Sequence, residues 1–128
     1  MKELILIIED SLTQAMILEN FLQKHNYLVS IASNGQKALE WLAENNPKLV
    51  ISDIVMPKIS GFDLCRRIKS AVSTAHVPVI LLTSLTDSSE IMKGIECGAD
   101  SFVTKPYNEK FLLSILQNKY FLEVNCPD

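Results

Sequence analysis

The stretch 49-LVISDIVMPKISG-61 carries a run of apolar residues onto an acid and then into a turn. Leu49, Val50 and Ile51 follow one another without polar alternation, the pattern of a strand covered on both faces. The strand closes on Asp53, and the residues beyond it, Met56-Pro57 and Ser60-Gly61, read as an exposed turn that cannot hide a carboxylate. A buried strand that delivers an acid to its carboxyl end belongs in an open α/β sheet, where ligands bind beyond the carboxyl ends of the strands.

The same grammar recurs on both sides. Leu4–Ile8 is a second uninterrupted apolar run. Leu12–His25 follows with Leu12, Met16, Leu18, Phe21 and Leu22 at helical spacing, which predicts a helix buried on those five residues. Tyr27–Ala32 is a short, mixed strand suited to a sheet edge. Asn34 is placed to cap a helix whose buried stripe is Ala38, Leu39, Leu42 and Ala43, and Asn45-Asn46-Pro47 stops it. After Asp53, Ser60-x-x-Asp63 has the form of a capping box opening a helix to about Ala71. Val77–Thr83 is the next strand, entered through Pro78; Asp87-x-x-Glu90 opens the next helix, and Gly98 is its natural stop. Ser101–Thr104 is a brief fifth strand, and the last helix spans Asn108 to about Phe121. Five strands alternating with five helices predict an α/β fold: a flavodoxin-like, doubly wound (βα)5 three-layer sandwich with parallel strand order 2-1-3-4-5.

Composition narrows the function. The chain has 128 residues, 48% hydrophobic and 21% charged, with a net charge of −3, as expected of one globular domain. No basic patch is present to hold a nucleic acid directly. Leu4–Ile8 is too short to cross a bilayer and lacks the flanks of a signal peptide, so no membrane association is expected. Cys65, Cys97 and Cys126 are odd in number and show no C-x-x-C spacing. They read as small apolar residues and one tail thiol of a protein in the reducing cytoplasm, not as a zinc site or a disulfide framework. His25 and His76 have no ligand-type neighbour and read as surface residues.

The strand ends carry the chemistry. Strand 1 ends in Glu9-Asp10 and strand 3 in Asp53, and the predicted order makes them neighbours. Two such charges about 4 Å apart repel by roughly 1–4 kcal/mol, depending on the effective dielectric. A fold does not gather this repulsion for stability. A hard divalent cation relieves it, and oxygen ligands without Cys or His favour Mg²⁺. Strand 4 ends in Thr83-Ser84, and Lys105-Pro106 follows strand 5, adding a hydroxyl and an ammonium at the same rim. A carboxylate nucleophile, a metal site, a hydroxyl and a cation together suit phosphoryl transfer.

Glu9-Asp10, Asp53 with Met56-Pro57 and Gly61, Thr83-Ser84, Gly98-Ala99-Asp100 and Lys105-Pro106 together resemble the receiver domain of two-component response regulators, over about residues 3–121. The resemblance implies that Asp53 takes a phosphoryl group from the phosphohistidine of a histidine kinase or histidine phosphotransfer protein. On this likeness the chain is a signalling phosphoacceptor that assists its own phosphorylation and dephosphorylation, not a conventional enzyme. Asp10, Asp53 and the backbone carbonyl of Val55 would ligate Mg²⁺, with Glu9 acting largely through water. Thr83 and Lys105 would hold the phosphoryl group, and Lys105-Pro106 would be cis. Phe102 falls on the aromatic that swings inward on activation. The family often has Tyr there, so a phenolic hydroxyl and its hydrogen bond are absent here. The receiver would occupy 1–121, with 122–128 a tail or the start of a linker. A last helix continuing past Phe121-Leu122 would favour a receiver followed by further chain, and Pro127 limits its run.

The family's usual output surface is the face of helix 4, strand 5 and helix 5. Phe111 and Ile115 lie partly off the stripe of Leu112, Leu113 and Leu116. They serve either as a partner or homodimer surface there or as packing against the preceding helix near Ile91 or Ile95. Three rival readings fare worse. A receiver-like module that only docks partners would not need the chemical positions Glu9, Asp10, Asp53, Thr83 and Lys105 all filled. A flavin binder needs a phosphate loop after strand 1, where 9-EDSLTQ-14 places two acids. An aspartyl-phosphate hydrolase needs a second acid two residues past its nucleophile, and that residue is Val55.

Overall fold

Alternate residues of short parallel strands point into two different cores. The computed structural model describes the backbone of residues 2–84 and 88–125, with the side chains at 88, 90, 91, 94 and 118–125 outside that description. Strands β1 (Leu4–Ile8), β2 (Leu28–Ala32), β3 (Leu49–Asp53), β4 (Val79–Thr83) and β5 (Ser101–Thr104) form one sheet in the order β2-β1-β3-β4-β5. All four pairings are parallel, with Ile7 opposite Ile51, Ile51 opposite Ile80 and Leu82 opposite Val103. Helices α1 (Leu12–Lys24), α2 (Gly35–Leu42), α3 (Gly61–Ser70), α4 (Ser88–Glu96) and α5 (Glu109–Asn125) alternate with them, giving the expected doubly wound topology.

The period-2 alternation of a strand sorts the side chains between the faces. On one face Ile5, Ile7, Leu49, Ile51, Ile80, Leu82 and Val103 pack against Leu18, Phe21 and Leu22 of α1 and Leu112 and Leu116 of α5. On the other, Leu6, Ile8, Val50, Val79 and Leu81 pack against Ala38 and Leu42 of α2, Leu64, Cys65 and Ile68 of α3, and Cys97 just after α4. Both faces are covered, which is why the strand runs are apolar without alternation.

Local signals hold at the helix ends. Ser11, Asn34 and Ser60 each accept a backbone N–H three residues on, from Gln14, Lys37 and Asp63. Asn108 Oδ1 accepts from the N–H groups of Lys110 and Phe111 at the start of α5. Gly98 follows α4 with φ of +88°, a conformation open to glycine. Lys69 of α3 fastens the entries of two strands: its Nζ donates to the Val77 carbonyl and pairs with Asp100 Oδ2, both at 2.7 Å. The same Asp100 oxygen accepts the Val79 N–H at 2.8 Å.

Several expectations shift. In α1 the buried row is Ala15, Leu18, Phe21 and Leu22, whereas Leu12 and Met16 are 70% and 49% exposed. Ala15, Leu18 and Leu22 step by three and four residues, and the short Ala15 side chain lets the helix lie close to the sheet. Ala43 is the exposed C-cap of α2, not part of its stripe; Leu39 and Trp41 pack at the margin of the core. β4 begins at Val79, because the Val77 N–H turns back to the Thr74 carbonyl and Pro78 has no N–H to give. The Asp63 carboxylate pairs with Arg66. α5 continues through 122–125, beyond the expected stop at Phe121. Asp87, Cys126 and Pro127 lie outside the described residues. Cys65 and Cys97 are buried, and His25 and His76 are exposed, as anticipated.

The revised face of α1 predicts a contrast within one helix. Leu22→Ala, which empties a fully buried site, should lower stability by about 2–5 kcal/mol. Leu12→Ala should stay within about 0.5 kcal/mol of the parent. Urea denaturation with unchanged m-values checks both; equal losses would restore Leu12 to the core.

Candidate functional site

The chain reverses its winding between β1 and β3, and there the two strands' acids meet. Glu9, Asp10 and Asp53 each offer a carboxylate oxygen, and these atoms lie within 4.8 Å of one another. Glu9 is only 7% exposed, Asp53 is half-buried and Asp10 is open to solvent. Burial raises the Glu9 carboxyl above its ordinary value, and the charge of Asp53 adds to the shift. The Ser11 backbone N–H, 3.1 Å from Glu9 Oε2, and the Lys105 ammonium act in the opposite direction.

Lys105 reaches this cluster from the loop after β5. Its Nζ lies 3.2 Å from Glu9 Oε1 and 3.4 Å from Asp53 Oδ1. Its backbone N–H donates to the Thr83 carbonyl at 2.6 Å, which holds the loop to the end of β4. The Lys105-Pro106 peptide is cis. Two of the three clustered carboxylates, Glu9 and Asp53, therefore share one ammonium. All the nearby acidic donors are hard oxygens, so the residues present fit a magnesium ion and do not suit a thiophilic metal.

The end of β3 is held by its own backbone. Asp53 Oδ1 accepts the Ile54 N–H at 2.9 Å, and Ile54 donates that same N–H to the Leu82 carbonyl at 3.2 Å. The turn after β3 folds back so closely that a Cβ on Gly61 would run into the Asp53 carbonyl oxygen. Gly61 also donates its N–H to the Ile54 carbonyl at 2.8 Å. Only glycine permits this approach. Val55 lies on the exposed outside of the turn.

Thr83 is buried, one residue beyond Leu82, which stands opposite Asp53. Leu81 pairs with Phe102 and Thr83 with Thr104, so Thr83 and Phe102 share one face of the sheet. Phe102 is half-buried against the core of α2 and α3. Of the two residues singled out on α5, Ile115 packs against the α1–α5 core while Phe111 is 56% exposed. Among the described residues of α4, Met92 and Ile95 are also exposed, so packing against Ile95 does not cover Phe111; the Ile91 side chain lies outside the described residues.

Gln14 was not singled out from the sequence, yet its Oε1 accepts from Lys105 Nζ at 2.8 Å. Its one visible signal is the Ser-x-x-Gln spacing of residues 11–14, which marks a helix start.

A five-stranded doubly wound sheet with an acid cluster and a lysine at its switch point defines a class of phosphate-handling α/β domains. Residues 5–117 match the response regulator receiver domain, and the chain belongs to that family. It is 41% identical over 126 residues to histidine kinase P4 of Formosa agariphila, covering 95% of this chain and 9% of that protein. It is 40% identical over 111 residues to the probable transcriptional regulator ycf27 of Guillardia theta, covering 87% of this chain and 42% of that protein. The receiver domain of a signal transduction histidine kinase from Syntrophus aciditrophicus superposes with a TM-score of 0.89 at 38% identity, covering 98% of this chain and 95% of that one. The chain thus spans less than half the length of the curated relatives named here. It is a receiver domain of two-component signalling. No described helix is long and apolar enough to cross a membrane.

Proposed function

We propose that Asp53 accepts a phosphoryl group from the phosphohistidine of a histidine kinase or histidine phosphotransfer protein, and that the chain is a cytoplasmic signalling receiver, not a conventional enzyme. The observation that carries this reading is the meeting of Glu9, Asp10 and Asp53 oxygens within 4.8 Å, with Lys105 Nζ 3.4 Å from Asp53. An Asp53 carboxylate oxygen attacks phosphorus in line. The P–N bond to the partner's imidazole breaks, and the imidazole nitrogen keeps the electron pair. Lys105 neutralises a phosphoryl oxygen and the Thr83 hydroxyl bonds another. Asp10, Asp53 and the Val55 carbonyl would hold magnesium directly, with Glu9 acting through water. Bound there, the ion supplies positive charge to the phosphoryl oxygens and relieves the repulsion among the acids.

Phosphorylation of Asp53 draws the Thr83 hydroxyl toward the new group, and Phe102, on the same face of the next strand, turns into the space released. The phosphoryl group shifts an equilibrium between two arrangements of the α4–β5–α5 face. That face, with Phe111 exposed on α5 and Ile115 at its margin, is the output surface and the seat of a homodimer. The receiver unit is 1–121, with 122–128 a tail or the start of a linker.

With Mg²⁺ and an acyl phosphate, intact mass should show one phosphoryl adduct, and Asp53→Asn should show none. An adduct that persists in the variant would place the acceptor elsewhere.

Millimolar Mg²⁺ should raise the melting temperature of the parent protein, as a native-state ligand does. Asp10→Asn should melt higher without metal and lose most of the rise. An equal response in both proteins would exclude Asp10 from the metal site.

A beryllofluoride adduct should crystallise with Phe102 turned inward and sediment as a dimer that Phe111→Glu dissociates. An outward ring in the adduct would remove Phe102 from the switch; a monomer throughout would remove the dimer.

A further inference from the structure

We propose that Gln14 is a positioning residue for Lys105, acting through a closed ring of hydrogen bonds that joins the first turn of α1 to the loop after β5. This rests on the reading of Lys105 as the cation that meets the phosphoryl group. The ring has four members. Lys105 Nζ donates to Glu9 Oε1 at 3.2 Å. The other oxygen of that carboxylate, Glu9 Oε2, accepts the Ser11 N–H at 3.1 Å. Ser11 Oγ in turn accepts the Gln14 N–H at 3.3 Å, which is the N-cap bond of α1. Gln14 Oε1 closes the ring by accepting from Lys105 Nζ at 2.8 Å.

The geometry sets Gln14 apart from an ordinary surface glutamine. At the third position of a helix, Gln normally reaches back to the N-cap backbone N–H, completing a capping box. Here that N–H is already given to Glu9 Oε2. The Gln14 carboxamide turns instead to the ammonium, and 2.8 Å is the shortest of the three contacts made there, against 3.2 Å to Glu9 and 3.4 Å to Asp53.

An ammonium has three donors. Glu9 and Gln14 take two, which leaves a third for the side where Asp53 Oδ1 lies 3.4 Å from the nitrogen. When Asp53 carries a phosphoryl group, that third donor turns to a phosphoryl oxygen while the other two bonds hold the nitrogen in place. The neutrality of Gln14 matters, because it fixes the ammonium without adding a fourth carboxylate to repel an anionic donor. The cleft beside it, of about 590 Å³, is walled by Gln14 and Ile17 of α1 and by Pro106 and Tyr107 of the loop, so the bond ties together two walls of one cleft.

The test compares the parent chain with Gln14→Leu, Gln14→Glu and Ser11→Ala in two measurements. The first is the single-turnover rate of phosphorylation by an acyl phosphate with Mg²⁺, resolved into a limiting first-order constant, here called kcat, and a half-saturating donor concentration, here called KM. Gln14→Leu should lower kcat by roughly fivefold with KM little changed, since the misplaced charge is felt chiefly in the transition state. Gln14→Glu, which keeps the acceptor and adds a charge, should retain kcat and raise KM. The second is the side-chain ammonium resonance of Lys105 in proton–nitrogen NMR, which requires no reaction. It should be sharp in the parent and in Gln14→Glu, and broadened by solvent exchange in Gln14→Leu and Ser11→Ala. Gln14 is exposed, and thermal melts establish that each variant is folded. Parent-like kcat and an unchanged resonance in both Gln14→Leu and Ser11→Ala would overturn the proposal while leaving the phosphoacceptor reading intact. A parent that takes up no phosphoryl group, or an Asp53→Asn variant that still does, would overturn that reading, and the proposal with it.

Discussion

Everything at the carboxyl edge of this sheet depends on how one ammonium is divided between Glu9 and Asp53, two of the three carboxylates gathered there. Glu9 is the critical member, because it is almost wholly buried and its desolvated charge cannot be screened by water. Lys105 answers that charge directly, and the Ser11 N–H answers it from the backbone. Asp10, open to solvent, needs little help, and Asp53 shares Lys105 with Glu9. The arrangement leaves more negative than positive charge at this edge, which favours the approach of further positive charge.

The two cores make that arrangement repeatable. Because each strand is anchored through side chains on both faces, its end is fixed in direction as well as in position, and the acids cannot drift apart to relieve their repulsion. The turn after β3 is held as closely by Gly61. At the opposite edge, Lys69 and Asp100 bind the entries of β4 and β5 to α3. The sheet is therefore clamped where its strands begin and charged where they end.

The strands were legible because uninterrupted apolar runs of about five residues have few alternative explanations, and the acids stood out because they terminate such runs. The grouping of Glu9, Asp10, Asp53 and Lys105 was legible for the same reason: each marks a strand end or the turn after it, so knowing the topology brings them together. Helix faces were harder to read. Leu12 and Met16 are apolar yet exposed, while the small Ala15 is buried, since depth depends on how near the helix lies to the sheet and not on hydrophobicity alone. The start of β4 moved because Pro78 supplies a carbonyl to the neighbouring strand without an N–H of its own. The bond between Gln14 and Lys105 joins residues 91 apart and depends on side-chain rotamers, so no local pattern announces it.

The long reach of that edge also orders events during folding. The ion pair between Glu9 and Lys105 spans 96 residues of chain, and contacts of such separation form late because their loop-closure entropy must be met first. A growing chain that has emerged only through β4 holds Glu9, Asp10 and Asp53 but not the Lys105 ammonium that pairs with two of them. Their mutual repulsion then works against closing the edge early, and the final strand with its loop both completes the sheet and neutralises it. The charge balance of this edge thus arrives in one step, when β5 and the loop that follows it join the sheet.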